Sequence, residues 1–131
     1  MKKTRALRVV LLGLASMFSY GCATYPRSGT SAVAGTWTNA LATVWTLDNN
    51  GTFEVDLNHD GKREAWGNYT IEGDTITLMG TGGYVPKDCK GNGVYRFNRG
   101  RDTLRFSRVS DKCQLRVRNV MLLWHRRTLS R

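Results

Sequence analysis

The chain has 131 residues, 20 of them basic and 10 acidic, and its formal net charge is +10. This length allows one domain with a single modest core and excludes a multidomain architecture. A strongly basic chain is typical of proteins that bind nucleic acid. The sequence offers no recognition helix, however, so we expect no nucleic-acid binding.

The first 21 residues have the order of an export signal, with four basic residues ahead of an apolar run at 9–18. That run is too short for a permanent membrane span. It leads to Gly21 and then directly to Cys22, an order that resembles a bacterial lipobox. The resemblance implies cleavage before Cys22 and lipidation of its thiol. The alternative is an ordinary secretory signal that is cut near Gly21 or Ala23.

The residue after the cysteine is Ala23 and not an aspartate. By resemblance to bacterial sorting, the expected location is the outer membrane, with the lipid-anchored domain facing the periplasm. Residues 22–34 are rich in Ser, Thr, Ala and Gly, and we interpret them as a lipidated, flexible tether.

Removal of residues 1–21 lowers the net charge from +10 to +6, and the remaining excess comes mainly from arginines after residue 95. A basic face suits anionic lipid headgroups, lipopolysaccharide or an acidic ligand. The alternative is that these arginines lie on the solvent face of strands and keep the edges soluble.

The domain at 35–131 alternates short β-branched and aromatic runs with turns rich in Gly, Asn and Asp. We predict eight strands, at 35–39, 42–48, 51–57, 64–72, 75–79, 93–98, 103–109 and 118–127. No segment of ten or more residues has a helical period. Alternation with period two predicts these inward-facing residues: Phe53, Val55, Tyr69, Ile71, Ile76, Leu78, Phe97, Leu104 and Phe106.

Two hairpins, at 67–78 and 93–106, share one sequence pattern. Each has Gly-x-Tyr-x-apolar, then a turn with Gly and Asp, and then Thr followed by apolar-x-apolar. Repeated hairpins with one apolar face each must close on one another. The predicted fold class is therefore all-β, an antiparallel up-and-down β-barrel of about eight strands. The glycine-rich residues 80–83 are interpreted as a mobile lip at the barrel mouth.

The opening motif Gly35-Thr36-Trp37, with Trp124 and Arg126 in the last strand, resembles the lipocalins. Residues 109–116, Val-Ser-Asp-Lys-Cys-Gln-Leu-Arg, add to a likeness with small lipocalin-like domains of bacterial exported proteins. The resemblance implies that Arg126 packs over Trp37 at the closed end and that Trp37 and Trp124 are structural. It also implies a barrel that binds small molecules.

The three cysteines divide into Cys22, which the lipobox assigns to lipid, and one remaining pair, Cys89 and Cys113. In an oxidising compartment such a pair is expected to form a disulfide.

Asp56, Asn58 and Asp60, followed by Gly61, have the oxygen spacing of an EF-hand-type calcium loop. The twelfth position, where a bidentate acid belongs, is Gly67, and the flanks are predicted strands. The alternative is an Asx-rich turn that needs no cation. We therefore expect no cofactor, with calcium as the one candidate.

The sequence contains no convincing catalytic set, so we expect no enzyme. His59 and His125 do not have the spacing of zinc ligands, and the carboxylates lie mainly at turns. The favoured function is binding of a small hydrophobic or amphipathic molecule at the envelope. Its predicted ligand-binding residues are Phe53, Tyr69, Phe97 and Phe106, which could equally fill the barrel. The alternatives are a protein-binding module, such as an inhibitor of an exported hydrolase, and a calcium-stabilised module without a ligand.

Overall fold

The computed structural model describes residues 27–128, which form a closed antiparallel β-barrel. The strands follow chain order around the barrel, and the last pairs with the first. The strands are β1 Gly35–Thr38, β2 Val44–Leu47, β3 Thr52–Asp56, β4 Ala65–Glu72, β5 Thr75–Gly83, β6 Gly93–Arg99, β7 Thr103–Ser110 and β8 Trp124–Arg126. The predicted fold class, an eight-stranded all-β barrel, is confirmed.

The prediction of one strand over 118–127 was wrong, because a helix and a short strand share this region. Helix α1, Gln114–Val120, precedes β8. The helix begins after Cys113, whose Sγ accepts a hydrogen bond from the Arg116 backbone N–H. Its seven residues are too few to display a helical period over a ten-residue window.

The prediction of a mobile lip at 80–83 was also wrong, because these residues extend β5 and pair with β4. Gly82 lies opposite Trp66, and a Cβ at Gly82 would come within 2.6 Å of the Trp66 ring. Glycine therefore permits the strand to pass close to the indole, where a larger residue would separate the two strands.

The packed domain begins before Gly35, so the tether prediction was wrong for residues 29–34. A 3-10 turn, Gly29–Ala32, lies at the closed end, and Ala32 and Val33 are buried. The Val33 carbonyl accepts a hydrogen bond from Trp37 Nε1 at 2.9 Å, and Thr30 Oγ1 donates to the Asn49 carbonyl. The predicted signal and lipidation site, residues 1–22, lie outside the described residues.

The predicted inward-facing set is confirmed as the barrel core. Its members are buried except Val55, Ile71 and Phe97, which are partly buried and pack against the core. Trp45 adds a large aromatic centre, with its ring centroid 5.2 Å from that of Trp124 and 5.4 Å from that of Phe106. Most of the barrel interior is therefore filled by its own side chains.

Trp37 and Arg126 lie opposite each other on β1 and β8, as the lipocalin resemblance implied. The Arg126 guanidinium lies 4.7 Å from the Trp37 ring centroid, and Arg99 lies at the same distance from that ring. Gly35 has φ +141°, and a Cβ there would approach Arg126 Nη1 to 2.8 Å. The opening glycine thus leaves space for the arginine that closes the barrel.

Candidate functional site

An apolar pocket of about 110 Å³ lies at the open end, opposite the 3-10 turn Gly29–Ala32. The wall from the barrel strands includes Trp45, Phe53, Val55, Leu78 and Trp124, and Leu57 joins it from just after β3. The wall from the cover includes Tyr84, Val85, Pro86, Leu115, Asn119 and Val120. The volume is below the ~300–1,000 Å³ of most small-molecule sites. It approaches the ~150 Å³ of an apolar cavity that binds benzene.

The cover has two parts, the loop at 84–92 and helix α1. A disulfide between Cys89 and Cys113 joins them, and both cysteines belong to the pocket wall. The predicted cysteine pair is confirmed. The bond joins the loop to Cys113, the residue immediately before the helix, so the two parts of the cover are held as one unit.

A buried ion pair holds the start of α1. Arg116 donates to both carboxylate oxygens of Asp111, and its Nη2 also donates to the Gly91 carbonyl at 2.8 Å. Tyr95 Oη donates to Asp111 as well, and the Cys113 backbone N–H donates to Asp111 Oδ1 at 2.8 Å. The motif at 109–116 and the second Gly-x-Tyr hairpin therefore meet in a single network beside the pocket.

This network shifts the pKa values of its members. Burial alone would raise the pKa of Asp111, but hydrogen bonds from Arg116, Tyr95 and Cys113 and the charge of Arg116 hold it below its ordinary value. Burial, together with the hydrogen bond to Asp111 and its charge, raises the pKa of Tyr95. The carboxylate therefore stays ionised and the phenol stays neutral at physiological pH.

A second link holds the end of α1 to the turn between β1 and β2. Asn119 Oδ1 accepts from Asn39 Nδ2 at 2.6 Å, and Asn119 Nδ2 donates to Thr43 Oγ1 at 3.0 Å. Asn39 and Thr43 are both buried. The helix is thus fixed at each end, and it closes part of the barrel mouth.

The pocket contains only part of the predicted ligand-binding set. Phe53 lines the pocket, whereas Tyr69, Phe97 and Phe106 belong to the core elsewhere in the described barrel. Tyr69 Oη donates to the Asp48 carbonyl at 2.6 Å, and burial, with the charge of Asp48, raises its pKa to about 12. Sequence reasoning missed the role of Trp45, although its alternation with Leu47 was a signal for an inward-facing position.

The acidic turn brings together Asp56, Asp60 and Glu64, whose carboxylate oxygens lie within 4.8 Å of one another. Asp56 accepts from the backbone N–H groups of Asp60 and Gly61. Asn58 Oδ1 also accepts from the Asp60 N–H. These bonds are those of an Asx-rich turn, and the calcium site at Asp56, Asn58 and Asp60 stays a prediction.

Exposed apolar side chains lie around the open end. Leu41 is 63% exposed and Tyr84 65% exposed, and Leu115, Met121 and Val109 are also exposed. Leu41 lies in the turn between β1 and β2, and Tyr84 and Leu115 belong to the pocket wall. The pocket thus opens among apolar residues.

No protein-family model matches the sequence, and no curated protein or solved structure shows significant similarity to it. Across residues 27–128, the structure has no helix that is long and apolar enough to cross a membrane.

Proposed function

We propose that this protein is a lipid-anchored, lipocalin-like envelope protein that binds a small hydrophobic or amphipathic ligand in the open-end pocket. The observation that carries the proposal is the apolar pocket of about 110 Å³ between the barrel strands and the fixed cover. A volume of this size takes a small ring or a short chain end. A larger ligand would place only such a group inside, with the rest emerging past Tyr84 and Leu115. The proposed role is binding without catalysis.

The position of the described N-terminus supports this arrangement at a membrane. Burial, the charge of Arg126 and the charge of Arg27 lower the pKa of Arg99, in that order of size. Arg27 therefore lies close to Arg99. Both residues are therefore near the closed end. Four residues lie between Cys22 and Arg27, so the two positions are five Cα–Cα steps apart and at most roughly 18 Å from each other. Lipidation at Cys22 would hold the closed end near the headgroups and leave the pocket accessible to a ligand.

The pairing of Trp37 with Arg126 supports the lipocalin-like part of the proposal, because the resemblance rests on those positions. The pocket also changes where in the barrel a ligand is expected to bind. A barrel filled by Trp45, Phe106 and Trp124 leaves space at its mouth and not along its axis.

A pocket-filling substitution tests the proposal. Gly80 belongs to the pocket wall, and a Cβ built there has no atom within 4 Å. We expect Gly80→Leu to fill the pocket and to abolish saturable binding of toluene, followed by methyl chemical shifts in NMR spectra. Thr81→Leu is the matched control, since Thr81 is the exposed neighbour on β5, and it should bind toluene like the wild type. Absence of saturable binding by folded wild-type protein would reject the proposal.

Protein binding is the second candidate, and the exposed apolar residues at the open rim favour it. A partner could insert one apolar side chain into a pocket of this volume. Native mass spectrometry of protein purified from its own envelope would then show a stoichiometric complex. Tyr84→Ser and Leu41→Ser together should remove that complex, and its persistence in the double variant would reject the rim as the interface.

A further inference from the structure

Trp45 Nε1 is the one buried side-chain nitrogen or oxygen in residues 27–128 that lacks a hydrogen-bond partner in the structure. The other two buried tryptophans are satisfied, since Trp37 Nε1 donates to the Val33 carbonyl and Trp124 Nε1 to the Val120 carbonyl. A buried indole N–H usually has an acceptor, and leaving such a donor without one is unfavourable. The exception therefore calls for a functional explanation.

Trp45 is also part of the pocket wall and is only 2% exposed. We propose that Trp45 Nε1 is the hydrogen-bond donor to an oxygen atom of the ligand. This inference rests on the proposed function and deepens it by naming the ligand chemistry. The ligand is an apolar molecule, or the apolar end of one, that carries an acceptor oxygen next to its buried part.

The acceptor belongs to an uncharged group, such as a ketone, an ester or an alcohol. Arg116 is the cation in the pocket wall, and it already binds both carboxylate oxygens of Asp111. A ligand carboxylate beside Trp45 would be buried without a free counter-charge, which is strongly unfavourable. A neutral oxygen needs only the single donor that the indole supplies.

The Trp45 indole also has packing contacts of the kind that a purely structural role would require. Trp45 lies edge-to-face against Phe53, with interplanar angle 89°, and in tilted contact with Phe106 and Trp124. An aromatic face is a weak acceptor for an N–H group. Nε1 exposes less than 1 Å² of surface, so a neighbouring side chain of the wall has to shift for one ligand oxygen atom to reach it. If Trp45 served only packing, no ligand oxygen would affect its N–H.

Two probes of similar size separate these roles, cyclohexanone with an acceptor oxygen and methylcyclohexane without one. In the wild type, cyclohexanone should shift the Trp45 indole N–H resonance downfield in a saturable manner, and methylcyclohexane should not. The missing resonance in the Trp45→Phe spectrum assigns the peak. Trp45→Phe should bind cyclohexanone about tenfold more weakly than the wild type, because one hydrogen bond is lost. Its affinity for methylcyclohexane should change less.

The outcomes distinguish this inference from the proposed function. If both probes bind to the pocket methyl groups while the Trp45 indole resonance stays fixed, the inference is overturned and the proposed function stands. If neither probe binds to folded wild-type protein, both are overturned. Where Trp45→Phe fails to fold, the shift of the wild-type indole resonance still decides. The indole resonances of Trp37 and Trp124 are internal controls, because their N–H groups already have backbone acceptors.

Discussion

Asp111 and Arg116 are joined by two hydrogen bonds, from Nε to Oδ2 at 2.5 Å and from Nη2 to Oδ1 at 2.7 Å. The Asp111 side chain is fully buried, and that of Arg116 is 16% exposed. The pair connects the end of β7 to helix α1, and Tyr95 from β6 completes it. The cover of the pocket therefore depends on one charged pair as well as on the disulfide.

Removal of the arginine should strongly destabilise the fold. Arg116→Ala leaves the Asp111 carboxylate buried without its cation, and breaking a buried pair in this way costs about 3–5 kcal/mol. Arg116→Lys keeps the charge and loses the two-point geometry, so its loss should be smaller. Urea denaturation of both variants measures the free energies of unfolding. A change below about 1 kcal/mol in Arg116→Ala would contradict the role assigned to the pair.

Acid should destabilise the protein partly through Asp111. Its pKa is lower in the folded state than in the unfolded chain, where it is about 3.9, so the unfolded state binds more protons. The stability from ionised Asp111 is full above the unfolded pKa and is lost as pH falls through the folded pKa. Asp111→Asn should therefore lower stability at pH 7 and flatten its decline below about pH 4. The control is Asp74→Asn at an exposed turn position, whose stability at pH 7 should remain closer to that of the wild type.

Loss of the Cys89–Cys113 disulfide should lower stability by about 3–4 kcal/mol, because the bond closes a loop with a sequence separation of 24. Cys89→Ala should also make the 84–92 loop exchange its amide hydrogens faster. Peptide mapping without reduction should recover the two cysteine peptides joined. Two free thiols in protein freshly purified from its own cells would show that this bond does not form there.

Lipidation is tested by Cys22→Ser. The variant should leave the membrane fraction or remain unprocessed, because serine has no thiol with which to form the thioether bond to the lipid. Fractionation and gel mobility are the measurements. If the variant fractionates and migrates like the wild type, the lipid anchor is rejected. Ligand binding at the open-end pocket is tested independently of this result.

Much of the barrel could be predicted from the sequence because strands with one buried face display a period of two. Phe53 and Val55 on β3, and Tyr69 and Ile71 on β4, reveal their inward face by that alternation alone. The ends of the strands were harder to predict. Gly82 was expected in a loop, and only its contact with Trp66 explains why glycine continues the strand there.

The site was less predictable because contacts distant in sequence build it. Cys113 was expected to pair with Cys89, but nothing local shows that Asp111 and Arg116 would bind each other and hold a seven-residue helix over the barrel mouth. Tyr69 and Trp45 both point inward by pattern. Trp45 borders the pocket, whereas Tyr69 lies near the β2–β3 turn, where its Oη donates to the Asp48 carbonyl.

The most direct test of the account is where an apolar probe lies in the barrel. Nuclear Overhauser effects between toluene and the protein methyl groups should be strongest at Val55, Leu57 and Val120, which line the pocket. Ile76 and Leu104, which are fully buried in the packed core, should show none. Strong effects at Ile76 and Leu104, or none at any methyl group at saturating toluene, would contradict a binding pocket confined to the open end.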